Sequence, residues 1–204
     1  MKRNFSHITP RYIKDRFLLL LDHRKHPKNP WITAHAARLL QGLLSPADIG
    51  VEFGSGRSTV WFADRLQQLT SVESNPEWYA IVKQQLAQSG LNAKVDYRLC
   101  TDDTDYARQA LTFADGSINF CLVDGAARDH CALNMTPKIK AGGILVVDNV
   151  NLYLPNDETH SPNSLRMRSG AASEVWTAFE QSVSGWRKIW TTNGVFDTTI
   201  WIKP

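Results

Sequence analysis

Between residues 10 and 23 the apolar positions Tyr12, Ile13, Phe17, Leu20 and Leu21 recur at helical spacing, until Pro27 and Pro30 break the pattern. Ala34, Ala37, Leu40 and Leu44 resume that spacing from Trp31 on, and Ser45-Pro46 closes it. Two helices therefore come first. From Ile49 the pattern changes to short apolar runs alternating with helix-like segments. The runs at 49–54, 69–74, 95–100, 118–123 and 143–147 read as strands. The segments at 58–68, after Asn75-Pro76, near 106–111 and at 129–139 read as helices, proline being suited to a first turn. "INFCLV" and "GILVV" are almost unbroken apolar runs, as expected of parallel strands covered on both faces. After a helix near 172–183, "WRKIWTT" and "VFDTTIWI" flank Asn193-Gly194, a hairpin signal. The expectation is an α/β fold: a Rossmann-like, doubly wound, mostly parallel seven-stranded sheet with helices on both faces and a C-terminal antiparallel hairpin. Residues 1–46 read as a helical extension packed on the core, and 47–204 as the main domain. The irregular stretch 151–170 is too long for a simple connection and is a candidate lid.

Composition changes this picture little. The chain has 204 residues, 43% of them hydrophobic, enough for one domain with its own core. No run approaches the length of a membrane span, and the five apolar residues from Phe17 to Leu21 are flanked by charge, unlike a signal peptide, so a cytoplasmic location is expected. Cys100, Cys121 and Cys131 show no C-x-x-C pairing, which favours packed, reduced thiols over a disulfide framework or a zinc site. The net charge of +3 is uneven: nine of the 23 Lys and Arg stand at or before Arg38, against Asp15 and Asp22 alone. A basic arm of this kind can steer towards an anion or simply be a solvated helix face. No aromatic-interleaved RNA-binding pattern accompanies it. Nothing in the chain points to an oligomeric state.

The candidate chemistry lies where strands end. In an open parallel sheet, ligands bind outside the carboxyl ends of the strands, where the strand order switches. The first strand runs into Glu52, Gly54, Ser55, Gly56, Ser58 and Thr59, a loop whose glycines let a ligand approach backbone N–H groups. The second strand ends at Glu73, 19 residues after Gly54, where an acid reaches ribose hydroxyls. Thr101 and Asp102 end the third, and Asp102 could equally cap the next helix. Asp124 ends the fourth, and Asp148 and Asn149 the fifth; a carboxylate closing so apolar a run is costly to desolvate without a partner.

These motifs carry a resemblance. The order E-x-G-x-G-x-S at 52–58, the acid at Glu73, "LVDG" at 122–125, "AGGILVVDNV" at 141–150 and the terminal hairpin are similar to those of class I S-adenosylmethionine-dependent methyltransferases. The likeness runs from Ile49 to about Lys203, and Trp31 to Leu44 is similar to a preceding helix in many members. It implies that the Gly54–Gly56 backbone packs on the methionine part of S-adenosylmethionine, Glu52 lies near its amino group, Glu73 binds the ribose, and Thr101 and Asp102 lie near adenine. Ser58 stands where a third glycine is frequent. Asp124, Asp148 and Asn149 resemble the metal triad of the catechol and caffeoyl-coenzyme A O-methyltransferase group, with Mg²⁺ as the candidate ion. That group usually carries a lysine base three residues after the first aspartate, where this chain has Ala127. Arg128 keeps its proton, which leaves His130, with Asp124 and Asp148, as candidates for catalysis. The expected partner is a small-molecule acceptor, to which Tyr153, Leu154, His160, Arg166 and Arg168 of the long loop would offer aromatic or anionic recognition. An NAD(P)-dependent oxidoreductase is the alternative, although its fingerprint wants Gly or Ala where Thr59 stands. A non-catalytic cofactor-binding module is the other.

Overall fold

The computed structural model describes residues 9–157 and 163–204. Helix α1 (Pro10–Lys25) begins where Thr9 Oγ1 accepts the N–H of Tyr12 and Pro10 supplies a preset first turn. Helix α2 (Ala34–Leu43) follows, capped by Thr33. Strand β1 (Ile49–Phe53), α3 (Arg57–Arg65), β2 (Gln68–Glu73), α4 (Pro76–Ser89), β3 (Val95–Leu99), α5 (Asp103–Arg108), β4 (Ile118–Val123), α6 (Arg128–Met135) and β5 (Ile139–Asp148) then alternate. Asn75 caps α4, and Gly90 ends it in the left-handed region that glycine enters without cost. Helix α7 (Glu174–Ser182) and the antiparallel pair β6 (Arg187–Thr192) and β7 (Asp197–Ile202) complete the chain.

The seven strands lie in the order β3-β2-β1-β4-β5-β7-β6, and only the β5–β7 and β6–β7 pairings are antiparallel. The order reverses between β1 and β4, which brings the β1–α3 loop and the end of β4 side by side. One core packs Val51, Phe53, Cys121 and Leu145 against Tyr106, Met135, Trp176 and Phe179 from α5, α6 and α7. The other packs Leu69, Phe120, Leu122 and Val146 against Leu40 and Phe62 from α2 and α3. Cys121 and Cys131 are buried free thiols, and Cys100 is half-buried. No helix of the described residues is long and apolar enough to cross a membrane.

Three elements differ from the sequence reading. Helix α6 ends at Met135, not near Ile139, because Ile139 already pairs with Ile118 and opens a ten-residue β5. The register shifts between Ile118 and Phe120, beside Gly142 at φ 76° and a Gly143 whose Cβ would lie 2.8 Å from Ile139. Helix α1 has no buried residue, and Ile13, Phe17, Leu18 and Leu20 are all at least half exposed. The extension therefore docks on the core through α2, by Ala36, Ala37 and Leu40. Finally, the described parts of 151–170 are tied down. Asn151 accepts the N–H of Leu165 on its carbonyl and that of Asp197 on Oδ1, Asn156 donates to the carbonyl of Leu165, and Tyr153 stacks on Trp176 with ring centres 5.0 Å apart. A lid in this segment is thus anchored at its base. His160 lies outside the described residues.

Candidate active site

The β1–α3 loop is built around a carboxylate with no access to water. Glu52 is fully buried. Its Oε2 accepts from Thr59 Oγ1 at 2.6 Å and Ser71 Oγ at 2.7 Å, while Oε1 is buried with no partner. Burial raises its pKa from 4.5 to about 7, against the opposing effect of its hydroxyl neighbours, Ser58 among them. An orphaned buried oxygen is expensive, and a cationic ligand group would satisfy it. Thr59 also accepts the N–H of Gly56 at 2.9 Å. A glycine at position 59, as a dinucleotide fingerprint requires, would break both links.

The two loop glycines have different reasons. Gly54 has φ 96°, and a Cβ on it would lie 2.6 Å from the backbone nitrogen of Gly125, so the fold itself demands glycine. A Cβ on Gly56 would meet Trp78 and Ser58 at 3.8–4.0 Å, ordinary contact, so packing within the protein does not by itself demand glycine there.

Glu73 is buried and holds the loop from β2. Its Oε2 accepts from Ser55 N (3.0 Å) and Ser55 Oγ (2.6 Å), and its Oε1 from the backbone nitrogens of Ser74 (2.9 Å) and Asn75 (2.8 Å). Four donors use the usual capacity of a carboxylate. Ser55 Oγ also bonds Tyr97 Oη at 2.7 Å, Tyr97 stacks on Tyr79 at 4.3 Å, and Trp78 Nε1 donates to the carbonyl of Ser55 at 2.8 Å. Tyr79, Tyr97 and Trp78 were missed by sequence reasoning because they sit outside the glycine motif. Asp102 caps α5, its Oδ1 accepting from Thr104 and Asp105 N–H at 2.9 Å, and Thr101 beside it is exposed. A cleft of about 490 Å³ between α5 and α6 is lined by Asp103, Thr104, Ala127, Asp129, His130 and Asn134. His130 is exposed in that cleft, so it flanks the α5 side of the rim and is not paired with Asp148.

The ends of β4 and β5 hold a surprise for the metal expectation. Arg128 Nη2 donates to Asp124 Oδ1 at 2.9 Å and to the Asp124 carbonyl at 2.7 Å, Nη1 to the carbonyl of Asp148 at 2.7 Å, and Nε to that of Gly125 at 3.0 Å. Asp148 is buried, and both its oxygens are taken, Oδ1 by Thr198 Oγ1 at 2.5 Å and Oδ2 by Asn149 Nδ2 at 2.6 Å. Burial raises the pKa of both aspartates, that of Asp148 further through the nearby charge of Asp124. A divalent ion needs several oxygens free to turn towards it. Here Asp148 is closed, Asn149 presents its amide nitrogen, and an arginine is bound to Asp124, so the triad Asp124, Asp148 and Asn149 does not fit Mg²⁺. Nor do the described residues contain a group of three or more His, Cys, Asp or Glu side chains able to hold a metal.

Beyond Asp148 the network reaches the N-terminal extension. Thr33 N donates to Thr198 Oγ1 at 3.0 Å, Thr33 Oγ1 bonds Thr191 Oγ1, and Thr191 Oγ1 donates to the Thr198 carbonyl at 2.7 Å. Two residues earlier Trp31, 47% exposed, stacks with the ring of His23, and the guanidinium of Arg57 is 4.9 Å from its ring centre. Arg57 Nη1 is buried with no partner. Of the loop residues expected at the acceptor, Leu154 is buried in the core, Tyr153 is stacked on Trp176, Arg166 is half-buried and Arg168 is exposed. A cleft of about 690 Å³ between α3 and α4 is lined by Lys28, Arg57, Trp61, Arg65, Gln85 and Gln88.

A family profile described as a methyltransferase domain matches residues 51–150. No curated protein matches the chain at a significant level. Solved structures of similar fold include TomG from Streptomyces achromogenes, an O-methyltransferase of tomaymycin synthesis in complex with S-adenosylmethionine, with a TM-score of 0.60, 17% identity, and coverage of 96% of this chain and 91% of that one. An O-methyltransferase from Bacillus cereus in complex with S-adenosylhomocysteine has a TM-score of 0.60 and 12% identity, over 98% of this chain and 93% of its own. A Staphylococcus aureus protein assigned as a caffeoyl-CoA O-methyltransferase has a TM-score of 0.60 and 16% identity, over 94% and 100%. At these identities the likeness to solved structures is one of fold. Residues 51–150 thus match a methyltransferase domain, and the strand order and fold of the chain are those of the S-adenosylmethionine-dependent O-methyltransferases it is similar to.

Proposed function

We propose that the chain transfers the methyl group of S-adenosylmethionine to a hydroxyl of a small-molecule acceptor. The unpartnered, buried Oε1 of Glu52, at the start of the glycine loop, is the observation that carries this reading. That oxygen calls for a cation, and the amino group of the cofactor would supply one. Glu73 would then meet the ribose, and the α5–α6 cleft, with Thr101 and Asp102 at its edge, the adenine. The O-methyltransferase names of the fold neighbours favour a hydroxyl acceptor. Trp31, half exposed beside the unpartnered Nη1 of Arg57, favours an acceptor that is aromatic or anionic.

The chemistry asks little covalent work of the protein. In the transfer the acceptor oxygen attacks the methyl carbon in line with the C–S bond, the electron pair stays on sulfur, and one proton is released. The protein's task is to fix the two reactants in line and keep water out. Binding of S-adenosylhomocysteine, followed by melting temperature and calorimetry, tests the reading. A ligand selective for the folded state at a hundredfold excess over its Kd adds about 2.7 kcal/mol of stability. NAD should add far less. Micromolar binding of NAD with none of S-adenosylhomocysteine would return the chain to the oxidoreductase alternative.

A further inference from the structure

Arg128 is the residue at the strand ends that the methyltransferase reading leaves unexplained. Its guanidinium spends four hydrogen bonds on three main-chain carbonyls and one carboxylate, all at the carboxyl ends of β4 and β5. Its side chain is only 16% exposed, so it is not a surface arginine that happens to lean inwards. Ala127, held at φ 41°, turns the chain at the start of α6 so that Arg128 folds back over Asp124. In the metal-dependent group that this chain resembles, a lysine stands at the position of Ala127 and an ion joins the two aspartates. Here the lysine is gone and a permanent cation is bound to the same strand ends.

We propose that Arg128 stands in the place of that ion, as a built-in cation that positions Asp124 for the acceptor, so that methyl transfer needs no bound metal. This rests on the methyltransferase reading above. Arginine keeps its charge at any working pH and cannot be removed by a chelator. Its planar fork fits the carbonyls and the carboxylate, where a metal would demand a shell of about six oxygens. Asp124 Oδ1 is committed to Arg128, and Oδ2 has no hydrogen-bond partner among the described residues. When the acceptor hydroxyl attacks the methyl carbon and the C–S bond breaks, Oδ2 is the oxygen left to hold that hydroxyl by a hydrogen bond, and the released proton passes to solvent. Arg128 is thus a positioning residue, and Asp124 the group that meets the acceptor.

Electron paramagnetic resonance of Mn²⁺, titrated into the whole chain with and without S-adenosylhomocysteine, tests this. The wild type should leave Mn²⁺ free to millimolar concentration in both states, and chelator should change its S-adenosylhomocysteine affinity by less than twofold. Arg128→Ala frees Asp124 Oδ1 and the carbonyls of Asp124, Gly125 and Asp148, and should gain on them a single Mn²⁺ site, which the further change Asp124→Asn should abolish. Should Arg128→Ala fail to fold, Arg128→Gln, similar in length but uncharged, is measured in the same way. One Mn²⁺ bound by the wild type and lost in Asp124→Asn would overturn the proposal, and so would a folded Arg128 variant that gains no site. Failure of S-adenosylhomocysteine to bind the same samples would instead overturn the methyltransferase reading.

Discussion

Glu52 gives the residue scale its clearest consequence. Its pKa is about 7 in the folded chain against 4.5 when exposed, so the folded state holds the proton more tightly. For a carboxylate shifted upwards, the linked stability is complete below pH 4.5 and is lost as pH rises through 7. The shift corresponds to about 3 kcal/mol lost across that window, at 1.36 kcal/mol for each pH unit. Glu52→Gln removes this titration and leaves those of Asp124 and Asp148, so denaturant unfolding at pH 5 and pH 8 should show the wild type weakening between them by clearly more than the variant. At pH 8 the variant should be the more stable protein and the weaker binder of S-adenosylhomocysteine. Parallel pH profiles for the two would mean that Glu52 is not a desolvated carboxylate. The position of this acid was legible in the sequence as the residue before a glycine loop. Its orphaned oxygen was not, because Thr59 and Ser71, which saturate the other oxygen, reach it from another turn and another strand.

Along β7 the pleat puts neighbouring threonines in opposite circumstances. Thr198 Oγ1 donates to Asp148 and accepts from the backbone of Thr33, whereas Thr199 Oγ1 is buried with no partner. Thr198→Val strands a buried carboxylate oxygen and a buried N–H, at a cost of about 2–4 kcal/mol. Thr199→Val removes a hydroxyl that bonds nothing, and should be neutral or stabilising. Thermal or urea unfolding of the two single variants checks the contrast, and equal losses would show that the network carries no stability. Strand "FDTTIWI" is announced by the Asn193-Gly194 turn before it, but that does not say which threonine meets an acid 50 residues away. The same holds for Arg128. Its partners are reached only once β4 and β5 lie side by side, and a reading along the chain sees an arginine after two alanines. Helix α6 was overextended for a related reason: its apolar spacing continues smoothly into a β5 whose start is fixed by pairing with Ile118.

For the molecule as a whole, the alternation of apolar runs and helical segments was enough to read the sheet. β4 falls at 118–123 as expected, and the hairpin turns at Asn193-Gly194, with Gly194 at φ 82°. What alternation could not weigh was how firmly the extension is held. α1 buries nothing, while Thr33 and α2 are locked to β6 and β7. A chain lacking residues 1–25 should therefore lose little, with Tm shifted by less than about 3 °C, the change expected for roughly 1 kcal/mol in a domain of this size. Thr33→Val in the full chain should lower Tm more than the truncation does. The reverse order, seen by calorimetry, would place the anchor of the extension in α1.

The hydroxyl of Ser55 already lies against Glu73, and Glu73 has no acceptor capacity left for a newcomer. If Glu73 receives the ribose, cofactor entry there is an exchange: Ser55 must rotate away and surrender a hydrogen bond before the sugar can make one. The tally of hydrogen bonds at that carboxylate is then the same before and after. Ribose contacts of this kind select which nucleoside is admitted while adding little to how tightly it is held. Tightness has to arise where nothing is displaced, and the empty partner position at Glu52 is such a place.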